Sequence, residues 1–69
     1  MTDIIPSVEL AILAMQVAVE KDLAPKDKTS ELIKATMIRL DQGFKDNEIN
    51  AKYYGSKLEQ LLKLKLSLR

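Results

Sequence analysis

The chain has 69 residues, 46% of them apolar, with a formal charge of +1 and neither cysteine nor histidine. A domain of this size buries only about 60% of the surface its unfolded chain exposes, and such domains commonly lean on disulfides, a metal or another chain. The composition excludes disulfides, thiolate and imidazole metal sites, and every nucleophile or base built on Cys or His, which leaves oligomerisation as the available support.

The first predicted element is a helix over about residues 6–22, opened by Pro6 and by Ser7 as its cap. At about 100° per residue, Glu9, Gln16 and Glu20 fall within about 40° of one another, and everything else from Val8 to Val19 is apolar. Val8, Ile12, Met15 and Val19 share one side and suit the chain's own core. Leu10, Leu13, Ala14 and Val17 lie largely elsewhere, and two other short helices cannot cover them as well, so they are the predicted contact in a homodimer. The same apolar run is too short to span a membrane, which takes about 20 mostly apolar residues. Asp3 stands where a signal peptide carries basic residues, so a cytoplasmic location is expected.

The segment APKDKTS, residues 24–30, is a connector, and Pro25 and Asp27 suit the start of a second helix running over about residues 25–42. Gly43 is read as its C-terminal cap. Ile33, Met37, Leu40 and Phe44 form the inward stripe, with Met37 as core filling, while Lys28, Glu31, Lys34 and Arg39 point away.

FKDNE then turns the chain, and Asp46 or Asn47 is expected to cap a third helix over about residues 47–65, beginning near Glu48. Its inward stripe is read as Ala51, Tyr54, Leu58, Leu61 and Leu62. Gly55 sits in the middle, and since glycine costs a helix interior about 1 kcal/mol against alanine, it should mark a close backbone approach or a break.

The chain ends in LLKLKLSLR, which carries two competing signals. Leucine alternates with polar residues as in a half-buried strand, yet leucine and lysine are good helix formers. A strand would need a second edge, and no other segment reads as strand. Helix to about Lys65 is therefore the expectation, over a paired strand or a disordered tail. As a helix, the leucines fall into two rows: Leu58, Leu62 and Leu66 on one side, and Leu61, Leu64 and Leu68 on the other. One row serves the chain and one a neighbour. On that reading Leu64→Glu should weaken assembly or partner binding more than folding, and Leu58→Glu should damage the fold.

Catalytic chemistry finds few candidates. Ser7, Ser30, Ser56 and Ser67 have no histidine to activate them, and Gly43 and Gly55 alone make no phosphate-cradling loop. Asp41, Asp46 and Glu48 cluster around the second turn without the alternating ligands of a calcium loop, and capping and solvation account for them. The expectation is a non-enzymatic protein with no cofactor and no metal.

Ala51, Gly55 and Leu61, with Tyr54 before the glycine, resemble the spacing of a helix-turn-helix. That resemblance implies a DNA-binding regulator gripping phosphates through Lys57, Lys63, Lys65 and Arg69. Asn50 departs from the pattern where a core residue is expected, and Leu58, Leu62 and Leu66 stand where base-reading side chains belong. Charge is graded along the chain, with Asp3, Glu9, Glu20 and Asp22 near the start and Lys52, Lys57, Lys63, Lys65 and Arg69 near the end. Such a gradient favours antiparallel or head-to-tail contact between the two ends, within a chain or between chains.

The sequence thus predicts an all-α protein, a small three-helix bundle or open three-helix arrangement in one domain, completed by homo-oligomerisation. Its expected function is protein–protein interaction as an adaptor, inhibitor or regulatory protein. The partners are a second copy and an unidentified protein met through Tyr53, Leu64, Leu66 and Leu68, with nucleic acid as the alternative and no membrane.

Overall fold

The computed structural model describes residues 3–68. It is all-helical: α1 (Ile5–Lys21), α2 (Lys26–Lys45) and α3 (Ala51–Ser67) pack against one another, and no strand occurs among the described residues.

The α1 helix begins one residue before Pro6. Asp3 Oδ1 accepts from the Ile5 backbone N–H at 3.0 Å, Pro6 lies in the first turn, and the Ser7 hydroxyl donates to the Ile4 carbonyl at 2.9 Å instead of capping the helix. The helix ends where Asp22 turns into the left-handed region at φ 53° and the Leu23 N–H reaches back to the Ala18 carbonyl at 3.0 Å. Asp tolerates that conformation better than most residues because its short polar side chain bonds locally.

The α2 helix does not stop at Gly43; it runs on to Lys45. Gly43 is buried, and a Cβ built there would collide with Ile4 Cδ1 and lie 3.4 Å from Ile4 Cγ1. Glycine here leaves room for the end of the Ile4 side chain and does not act as a cap. The left-handed residue that ends α2 is Asn47, at φ 61°, with the Glu48 N–H donating to the Gly43 carbonyl at 2.8 Å. Asn is the usual alternative to glycine at such a position. Thr29 and Thr36, although buried, donate to the Pro25 and Leu32 carbonyls at 3.2 and 2.8 Å, so neither hydroxyl is left unpaired in the core.

The cap of α3 is Asn50, whose Oδ1 accepts from the Tyr53 N–H at 2.8 Å, and Asp46 and Asn47 belong to the preceding turn. Asn50, which breaks the helix-turn-helix pattern as a misplaced polar residue, has its reason here. The helix continues unbroken through Gly55, where an added Cβ would meet nothing within 4 Å. It also takes up the tail as far as Ser67, beyond the expected end at Lys65.

The core consists of Ile4, Val8, Ile12 and Met15 with Ile33 and Leu40 of α2, Ile49 of the second loop, and Leu61 and Leu64 of α3. Val19, Met37, Tyr53, Tyr54 and Leu68 pack partly against it. The inward edge of α3 is rotated from the expected stripe. Leu61 and Leu64 face in, whereas Leu62 is 48% exposed and Ala51 is exposed. Phe44 is displaced to the margin, its ring stacked on Tyr54 with centroids 4.8 Å apart.

Candidate interaction surfaces

Leu10, Leu13, Ala14 and Val17 are all exposed and share one side of α1, with Leu10 68% and Leu13 57% accessible. At about 100° per residue the centre of this row lies about 180° from the centre of Val8, Ile12 and Met15, which are buried. The row forms a ridge. On its α3 side a shallow depression is lined by Glu9, Leu10, Leu13, Gln16 and Gln60; on its α2 side another is lined by Ala14, Ala18, Lys28 and Leu32. Leu32 is itself exposed, so the apolar surface continues onto α2.

A second open groove lies where the start of α2 meets the end of α3. Leu62, Leu66 and Leu68 form its floor, with Lys26, Asp27, Ser30 and Lys65 around it. Two of the residues expected to meet a partner, Leu66 and Leu68, line this groove together. Leu64 does not join them, being only 9% exposed and part of the core. The correction has a simple geometric cause: Leu64 lies about 60° from Leu61 around the helix, while Leu62 and Leu66 lie about 100° and 140° from it on the other side. Leu64→Glu therefore attacks folding rather than assembly, and Leu58, only half-buried, is the less central of the two.

Tyr53, the remaining partner-binding candidate, is engaged within the chain. Its hydroxyl donates to Glu9 Oε1 at 3.2 Å, and Lys57 Nζ donates to Glu9 Oε2 at 3.2 Å while lying 5.4 Å from the Tyr53 ring centroid. Partial burial, followed by the hydrogen bond and the negative charge of Glu9, pushes the Tyr53 phenol up to about 12. This cluster ties α1 to α3. It is one contact of the kind the charge gradient implies, an acid near the chain's start meeting a base near its end. Sequence reasoning does not single out Glu9 for it, because the partner lies 48 positions away.

The cations expected to grip nucleic acid do not form one face. Lys57 is paired with Glu9, Lys63 bridges Glu59 at 3.4 Å, Lys65 lines the second groove, and Arg69 lies outside the described residues. The spacing of Ala51, Gly55 and Leu61 falls inside a single continuous helix, so there is no turn at Gly55. Asp41 proves to be a local anchor that accepts from Lys45 at 3.0 Å and from the Tyr54 hydroxyl at 3.4 Å. The hydrogen bond to Asp41 also raises the Lys45 ammonium above its ordinary pKa.

Among the described residues no group of His, Cys, Asp and Glu side chains could hold a metal ion, and no helix is long and apolar enough to cross a membrane. No family model, no curated protein and no solved structure matches the chain.

Proposed function

We propose that this protein is a non-enzymatic interaction module, an adaptor, inhibitor or regulatory protein, that works as a homodimer through the outer face of α1. The observation that carries the proposal is the solvent-facing row of Leu10, Leu13, Ala14 and Val17 on a helix whose opposite side already supplies the core. Fully burying a leucine contributes about 1.5–3 kcal/mol, so two leucines left more than half exposed forfeit roughly that much between them. For a chain of 69 residues that is a large fraction of a net stability of about 3–10 kcal/mol. A second copy removes the exposure. The groove floored by Leu62, Leu66 and Leu68 then remains open to a different protein, and a cytoplasmic setting suits a chain without cysteine.

Light scattering on the purified protein tests the first part, with a dimer mass expected at micromolar concentration and a monomer mass for Leu13→Glu at unchanged helicity. A monomer mass for the unaltered protein overturns it. DNA binding through the basic C-terminal third is the weaker reading, because Lys63 points about 120° away from Lys57 and about 160° away from Lys65 along α3, and Lys57 is already paired with Glu9. Titration into labelled duplex at low salt separates the two: tight, salt-dependent binding lost on removing Lys63 and Lys65 would favour DNA.

A further inference from the structure

We infer that the partner met at the second groove is an acidic amphipathic helix of another protein, lying along the outer row of α3 formed by Ala51, Gly55, Leu58, Leu62 and Leu66. The inference rests on the reading above that this groove is open to a different protein, and it adds the partner's shape and charge. At about 100° per residue the row spans only about 80° of the helix circumference, and all of it is exposed except the half-buried Leu58. The core does not use this stripe, because Leu61 and Leu64 supply the inward edge of α3. From Ala51 to Leu66 the row is about 22 Å long, roughly four turns, which is the footprint of one helix. Its Leu62 and Leu66 end falls into the groove, where Lys26, Asp27 and Ser30 of α2 make the facing wall. An amphipathic helix laid with its apolar face in such a groove is a recurrent mode of recognition.

Gly55 and the charges narrow the occupant. Gly55 stands on this row in the interior of α3, where glycine weakens a helix, and a Cβ built there meets nothing within 4 Å. The chain's own packing has no use for it. A second helix crossing over Ala51 and Gly55 does, since the missing side chain lets the two backbones approach closely. At the other end, Lys26 and Lys65 line the groove with a single acid, Asp27, and neither lysine is bridged to a carboxylate among the described residues. Glu59, which borders the row on its far side, is already bridged to Lys63. An incoming helix with carboxylates beside its apolar face answers both ammoniums, whereas one bordered by lysines meets like charge.

Two labelled synthetic helices test this, with identical leucine faces and either glutamate or lysine along both flanks. The glutamate peptide should bind on the order of tenfold more tightly at low salt, the size expected when two exposed ion pairs are made rather than opposed, and should lose that margin as salt rises. Backbone amide resonances should move at Ser30, Gly55, Leu62 and Leu66. Gly55→Leu fills open space, so helicity by circular dichroism should hold while binding weakens several-fold; Leu13→Glu, on the α1 face, should leave binding unchanged. Equal or tighter binding of the lysine peptide overturns the acidic partner. Shifts confined to α1, or binding indifferent to Gly55→Leu, overturn the α3 row, and no binding of either peptide overturns the docking site. Light scattering keeps the two readings apart: a monomeric protein that still binds the glutamate peptide removes the α1 dimer and leaves this site standing, whereas a dimer that Gly55→Leu dissociates makes the row a self-contact and overturns it.

Discussion

Leu62 and Leu64 stand two residues apart in an alternating tail, and the fold assigns them opposite environments. Leu64 is 9% exposed and belongs to the central cluster, whereas Leu62 is 48% exposed at the edge of the second groove. Leu64→Ala removes most of a buried side chain and leaves a cavity that three short helices can only partly close. Such truncations cost about 2–5 kcal/mol, and the lower half of that range, about 2–3 kcal/mol, suits a site at the open end of the bundle. Leu62→Ala gives up at most half a leucine's burial, so it should cost less than about 1 kcal/mol. For a domain of this size each kcal/mol moves Tm by about 4–8 °C, which separates a fall of roughly 8–24 °C from one of a few degrees. Thermal unfolding followed by circular dichroism measures both, at matched protein concentration because self-association would make Tm depend on it. Equal effects of the two substitutions, or a larger one at Leu62, would refute the placement of the core on the Leu61–Leu64 edge of α3.

The two glycines should respond differently. Gly55→Ala meets open space on an exposed helix and should stabilise by about 0.5–1 kcal/mol, while Gly43→Ala must displace the terminal Cδ1 of Ile4 and should therefore gain less than Gly55→Ala. Adding Ile4→Val, which removes the colliding Cδ1, should narrow that difference in a double-mutant denaturation series. Asn50→Ala should cost about 1 kcal/mol by leaving the Tyr53 N–H without its cap, read from the urea midpoint. Tyr53 links stability to alkaline pH: its folded pKa of about 12 lies above the ordinary value of 10.0, so the contribution is complete below pH 10.0 and is lost as pH rises through 12. Denaturation across that window should show a decline that Tyr53→Phe reduces; an unchanged profile in the variant would remove Tyr53 as its source.

The two faces of α1 are legible in the sequence, because the spacing that separates Val8, Ile12 and Met15 from Leu10, Leu13 and Val17 is a property of one helix alone. The relation of that helix to the rest of the chain is less so. Propensity and the lack of a strand partner assign the tail to helix, but they leave two leucine rows as possible inward faces, and only the docking of α3 against α1 and α2 chooses Leu61 and Leu64. The charge gradient points to contact between the ends without naming Glu9, Tyr53 and Lys57.

The glycines and caps show most plainly where local reasoning stops. Gly43 carries the sign of a helix end and Gly55 that of a close approach; in the folded chain Gly43 is the close approach and Gly55 has none. Asp46 and Asn47 are the caps expected from the local sequence, whereas in the folded chain the chemically similar Asn50 takes that role. Helix type, approximate extent and amphipathic period follow from the sequence by itself, since they arise from neighbours within four positions along the chain. Which apolar row becomes core, which glycine meets a distant side chain and which acid meets which base are decided by residues tens of positions apart, brought within van der Waals range only when the helices pack.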